Sequence, residues 1–219
     1  MFGVHRLTFG VHRLTFVVQN MDIILSKERV DAQECDLLVT GFFKDERPLK
    51  GSSGWIDWRF NGKLSRFLME KKLSGDWKET ILIPSQGRVM SRMILLLGLG
   101  EVKEYGYLRL REVPPRLIQT LKKLDAFEVC LSLPYGEGTT VNCGKMAEVL
   151  IEGIANGLDL SGDPLNGECI KKLRLYFAEG EEHLSEILSG VQTAKAILRD
   201  RVQIGVFVPS QDTSHLSSW

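Results

Sequence analysis

Arg92-Met-Ile-Leu-Leu-Leu-Gly-Leu-Gly100 decides the fold class. Five consecutive large apolar residues closed by glycines form too short a run for a buried helix. They suit a strand covered on both faces. Similar runs predict strands at Asp22–Leu25, Asp36–Phe43, Thr80–Pro84, Phe127–Leu133, Lys172–Ala178 and Val202–Val208. Between them the apolar period changes to that of a helix. Met146, Leu150, Ile154 and Leu158 are four apart, with Ala147, Ile151 and Ala155 beside them. Leu184, Ile187, Leu188, Val191, Ala194 and Leu198 make a second stripe. Leu117, Ile118, Leu121 and Leu124 make a third, opened by Pro114-Pro115, which suits a first turn whose N–H groups need no partner. Phe60, Leu64, Phe67 and Leu68 predict an earlier helix. Alternating strands and helices imply an α/β fold: three layers, α/β/α, around a mixed, mostly parallel sheet.

The composition agrees. The chain has 219 residues, 43% hydrophobic and 26% charged, which is the profile of a globular protein. Lys+Arg and Asp+Glu are both 28, so the net charge is zero. That balance gives no support for a strongly basic nucleic-acid binder or a polybasic membrane binder. No apolar run approaches the ~18–20 residues of a membrane span. Four cysteines without a CxxC pair read as free thiols of a cytoplasmic protein. Residues 2–8 and 9–15 are identical, FGVHRLT. Residues 1–20 therefore read as a duplicated extension, with Met21 as an alternative start; a targeting peptide and a functional arm are the other readings. Residues 21–219 show no linker and are expected to form a single domain.

Ligands of open α/β sheets gather beyond the carboxyl ends of the strands. Three glycine-rich segments are expected there. Gly51, Ser52, Ser53 and Gly54 lead into a helical region. Gly98 and Gly100 follow the strongest strand. Gly136, Gly138 and Thr139 lie between a strand and the Met146 helix. Glycine lets backbone N–H groups converge on an anion, and a helix start adds positive potential. The plainer reading is that glycine only permits the turns. No segment completes GxGxxG or a Walker motif, and GxSxG and HExxH are absent. No metal site, cofactor or catalytic residue is predicted. His183 reads as a boundary residue beside its helical stripe, Cys130 as core, and Glu181-Glu182 as first-turn acids. Cys143, near a helix start, is the one thiol with grounds for a lowered pKa. Trp55 and Trp58 read as packing or interface residues, or as a stacking platform.

The order of these motifs resembles the N-terminal domain of the leucyl aminopeptidase family. Cys35-Asp-Leu-Leu-Val-Thr-Gly-Phe-Phe43 is similar to its D-L-L-V-x-G-x-F strand. Gly62-Lys63-Leu64 is similar to a G-x-L helix start, and Arg92–Gly100 to an R-x-x-L-x-G-L-G strand. The Met146–Gly157 helix looks like its A-x-x-x-x-E-G helix, and the likeness runs over about residues 22–200. The resemblance implies a macro-domain-like fold and a non-catalytic role. In that family catalysis belongs to a separate C-terminal domain that holds two metals through Lys, Asp and Glu. Its N-T-D-A-E-G-R segment does not occur here, and nineteen residues follow Asp200.

Macro domains bind ADP-ribose, and two segments resemble theirs: Gly51–Asp57 their glycine-rich turn, and Gly136–Thr139 their phosphate loop. Val39–Phe43 lacks the asparagines of the corresponding strand end, and no adenine-reading aspartate follows the first strand. Glu137 would face a diphosphate with like charge, a cost of roughly 1–4 kcal/mol at about 4 Å. The expected function is thus a stand-alone assembly or regulatory module that pairs with itself or with an aminopeptidase-type partner. The alternatives are an ADP-ribose or nucleotide-binding module, an ADP-ribose hydrolase, and a remnant or subunit of a metalloaminopeptidase.

Overall fold

The computed structural model describes residues 19–136, 138–159, 172–199 and 201–208. The readings made at residues 1–18 and Glu137, and at Cys169 among the four cysteines, lie outside these. Seven strands form one sheet: β1 (Gln19–Ser26), β2 (Cys35–Phe42), β3 (Thr80–Pro84), β4 (Ser91–Gly98), β5 (Glu128–Ser132), β6 (Lys172–Ala178) and β7 (Val202–Phe207). Their order is β3-β4-β2-β5-β6-β1-β7. Among the described residues, β3–β4 is the one antiparallel pairing of strands and the other five are parallel. All seven strands fall where the apolar runs predict them. Central β2 and β4 are buried almost throughout, as parallel strands between two helical layers must be. Edge strand β3 alternates between exposed and half-buried residues.

Helices cover both faces. On one lie α1 (Gly51–Arg59) and α2 (Lys63–Met69). Ile56, Phe60 and Leu64 pack there against Leu38, Ile94, Leu96 and Cys130. On the other lie α3 (Tyr107–Leu110), α4 (Val113–Leu124), α5 (Cys143–Asp159) and α6 (Leu184–Leu198). Their stripes meet Leu37, Val39, Leu95, Val129, Leu131 and Leu175. Each fully buried Leu or Ile contributes about 1.5–3 kcal/mol, so the hydrophobic pattern dictates which side of the sheet each helix takes. The α4 stripe buries Leu117, Ile118 and Leu121, while Lys122 and Lys123 occupy its last turn, where cations oppose the helix dipole.

One expectation needs correction. The Phe60–Leu68 pattern is not a single helix, because α1 ends before Phe60 and α2 starts at Lys63. Asn61 and Gly62 adopt the left-handed region, with φ of 53° and 72°. The Asp57 carboxylate accepts the free N–H groups of Leu64 (2.8 Å) and Ser65 (3.1 Å). A side chain of the first helix thereby caps the second.

Helices α5 and α6 cross at two glycines. A Cβ on Gly190 would sit 1.9 Å from the Gly144 carbonyl oxygen, and one on Gly144 would sit 2.5 Å from the Glu186 carbonyl oxygen. The missing side chains let the two backbones touch. This contact brings the starts of α5 and α6 together.

Candidate functional site

The chain leaving β2 enters α1 on one face, and the chain leaving β5 enters α5 on the other. Loops therefore diverge between these adjacent parallel strands, which is where open α/β sheets leave a crevice. Thr40 and Ser132 face each other there in register. Ser52, from the first turn of α1, donates its hydroxyl to the Ser132 carbonyl (3.1 Å). With that proton committed, Ser52 accepts from Thr40 Oγ1 at 2.6 Å. Ser52 thus ties the first predicted segment to the ends of β2 and β5, and β5 is the strand that leads into the third.

The individual residues differ in what they are free to do. Lys50, which precedes α1, gives the helix no side-chain cap. Ser53 is buried and donates to the Lys50 carbonyl (2.9 Å), and a Cβ on Gly54 would strike the Leu49 carbonyl at 2.6 Å. Gly51, Gly136 and Gly138 have positive φ and open space around the missing Cβ. Three amides of the third loop are nevertheless spent within it. Gly136 N–H donates to Val141 O (2.9 Å), Thr139 N–H to Gly136 O (2.9 Å) and Val141 N–H to Thr139 Oγ1 (3.3 Å). Gly98 and Gly100 lie apart, at the end of β4. Their amides donate to Glu79 O and Gly75 O, and a Cβ on Gly98 would sit 2.2 Å from Asp76 O. They permit close packing at that end of the sheet.

Sequence reasoning missed Glu179, the residue after β6. Tyr135 donates its hydroxyl to Glu179 Oε2 (3.1 Å), whereas Oε1 is buried without a hydrogen-bond partner. Burial pushes this carboxyl up to about 7, and the nearby Ser132 and Tyr135 hydroxyls keep it from rising further. The folded protein therefore binds more protons than the unfolded chain between about pH 4.5 and 7. Stability should fall as pH rises through that window and level off above it. Glu179→Gln should flatten the fall and stabilise the protein at pH 8 by about 1–3 kcal/mol, read by urea unfolding from pH 5 to 8.

Cys143 opens α5 beside this group and is buried. Its expected pKa depression is reversed: burial, then the Glu179 and Glu186 carboxylates, push the thiol up to about 12. The helix start cannot outweigh desolvation combined with two anions. The Tyr135 ring meets His183 edge-on at 5.2 Å. His183 stands immediately before α6, at the boundary position read from the sequence.

The rim beyond Glu179 carries the two tryptophans. Arg29 pairs with Glu179 in an isolated antiparallel bridge, and its guanidinium lies 4.0 Å from the Trp55 ring centroid. Arg59 lies 5.3 Å from the Trp58 ring, and the two indoles meet edge-to-face at 6.5 Å. Both arginines converge on Asp31, whose side chain is fully enclosed. Arg59 Nε lies 2.6 Å from Asp31 Oδ2, and Arg29 contributes two bonds of 3.0 Å. Trp55 and Trp58 are 47% and 65% exposed, and Met90, whose amide donates to the Asp31 carbonyl, is 60% exposed. A separate groove of about 550 Å³ runs between α4 and α5, lined by residues such as Arg111, Gln119 and Asn156. No strand-end residue lines it.

A mostly parallel seven-stranded sheet covered by helices on both faces is a macro-domain-like architecture. The solved structures agree. A Trypanosoma brucei macrodomain in complex with ADP aligns with TM-score 0.58 at 16% identity, covering 77% of this chain and 68% of that one. A macrodomain variant from Oceanobacillus iheyensis aligns at 0.54 and 13%, covering 80% and 92%. A tomato leucine aminopeptidase variant aligns at 0.58 and 17%, covering 83% of this chain and 37% of that enzyme.

The chain belongs to the cytosol aminopeptidase family, by its N-terminal domain, whose model matches residues 39–159. A probable cytosol aminopeptidase of Alkaliphilus metalliredigens is 24% identical over 131 residues, 60% of this chain and 26% of that protein. One from a Sulfurihydrogenibium species is 23% identical over 163 residues, 74% and 30%. The chain thus spans about a third or less of these relatives. Among the described residues, no helix is long and apolar enough to cross a membrane.

Proposed function

We propose that this domain is a non-catalytic assembly module that pairs with a second copy of itself through the Trp55–Trp58 face of α1. The observation that carries this reading is the exposed tryptophan pair, held in place by Arg29, Arg59 and the buried Asp31. Tryptophan and arginine dominate the energetics of protein interfaces, and a pre-ordered patch loses little freedom when it docks. A chain of zero net charge sets up little long-range repulsion between copies. Peptide hydrolysis of the family's kind needs its two-metal ligand set, and the segment that carries it does not occur in these 219 residues. Iodide quenching of tryptophan fluorescence tests the face directly. Quenching should weaken as protein concentration rises through the micromolar range, and Trp55→Phe/Trp58→Ala should abolish that change. Quenching independent of concentration would remove the support.

A second reading, an ADP-ribose or nucleotide site between the Gly51 and Gly136 loops, is favoured by the solved macrodomains in complex with ADP and with ADP-ribose. The opening turn of α1, without a side-chain cap, also favours it. The self-bonded third loop and the Glu179 carboxyl weigh against it. Calorimetric titration of the full chain with ADP-ribose separates the two. The assembly reading predicts no heat. Micromolar binding that is lost in Gly138→Asp would favour the nucleotide site.

A further inference from the structure

We propose that Cys143, His183 and Glu186 form a binding site for one zinc-class divalent cation. The three side chains come from the start of α5 and the start of α6, and one potential ligand atom of each lies within 4.8 Å of the other two. Two features of the chain bring them together. His183 and Glu186 are three residues apart at a helix start, so they share one face. The Gly144–Gly190 contact then presses the residue beside Cys143 against that turn. Donors around a tetrahedral zinc with bonds of about 2.0–2.3 Å are roughly 3.4–3.7 Å apart. Binding therefore requires the half-buried His183 and Glu186 side chains to rotate inward, His183 turning from Glu182 Oε1, 3.4 Å from its Nε2.

The donor set selects the ion. A thiolate and an imidazole with a single carboxylate suit zinc, whereas calcium and magnesium require more oxygen ligands. The surroundings also favour a cation. Asn142 donates its side-chain amide to Glu186 Oε1, which orients that carboxylate and leaves Oε2 available. Tyr135 packs edge-on against His183 and links the cluster to Glu179, whose buried Oε1 lacks a partner. On binding, the Cys143 S–H gives its proton to water, the sulfur bonds the metal as thiolate, and His183 binds as neutral imidazole. Three protein ligands leave the fourth position to water.

The test is titration of the metal-free full chain with Co²⁺, followed by displacement with Zn²⁺. The expected result is one equivalent of Co²⁺ with a thiolate-to-cobalt charge-transfer band in the near ultraviolet, lost when Zn²⁺ is added. Cys143→Ala should abolish the band. His183→Gln and Glu186→Gln should each weaken Co²⁺ binding at least about tenfold, while Cys169→Ser should leave the band unchanged. If Cys143→Ala fails to fold, the Glu186→Gln variant at the half-buried edge carries the test. No band, a band that survives Cys143→Ala, or binding unchanged in both His183→Gln and Glu186→Gln would overturn the proposal.

Discussion

Gly190→Val should lower stability by about 3–5 kcal/mol, a large share of the 5–15 kcal/mol typical of a domain. A Cβ at this position would lie 1.9 Å from the Gly144 oxygen and 2.6 Å from the Gly144 carbonyl carbon. Both are backbone atoms, so no rotamer change relieves the overlap and α5 must move off α6. That movement would open the layer in which Met146, Leu150, Ile187 and Val191 are buried. It would also part Cys143 from Glu186. Gly136→Ala is the control. Its φ is +74° but the space around it is open, so the cost should stay near 1 kcal/mol. Urea unfolding of the two variants beside the parent protein measures the contrast. Equal costs would mean that the crossing is not set by glycine.

Asp31→Ala should cost about 2–3 kcal/mol and release the tryptophan face. Its carboxylate is enclosed, while Arg29 and Arg59 remain roughly half exposed at 52% and 41%. Removing it strands two cations, although solvent screening keeps the loss below that of a fully buried pair. Burial by itself raises the Asp31 carboxyl; the Arg59 and Arg29 hydrogen bonds outweigh it and bring the group below its ordinary value. A depressed folded pKa places the stabilisation above the unfolded value of about 3.9, to be lost as pH falls through the folded value. The parent protein should therefore lose this increment under acid, and Asp31→Ala should not. Urea unfolding between pH 3 and 6 reads both effects. Trp55 and Trp58 should become more mobile in the variant, because the guanidinium groups stacked on them lose their anchor.

Much of the fold was legible because burial on both faces writes itself into a sequence. Met93–Leu97 and Leu37–Val39 could only be central strands, and the stripe through Met146 and Leu150 could only be a covered helix. The break at Asn61–Gly62 was not legible, since it depends on Asp57 reaching across to cap the next helix. The crevice was half visible. Glycine-rich segments marked the strand ends, but nothing in their order showed that Gly136, Thr139 and Val141 spend their amides within the third loop. Glu179 carries no signal in its own sequence neighbourhood. Its environment comes from Tyr135, forty-four residues earlier. The sign at Cys143 was misjudged for the same reason: a helix start is local, whereas Glu179 and Glu186 arrive through the packing of β6 and α6.

The most direct test of the assembly reading is sedimentation equilibrium of the full chain at micromolar concentration. The parent protein should sediment with twice the mass of the 24.7 kDa chain. Trp55→Ala/Trp58→Ala should return it to the single-chain mass, with unfolding stability changed by less than about 1 kcal/mol. A parent protein that sediments as one chain, or a dimer indifferent to loss of both tryptophans, would contradict that reading.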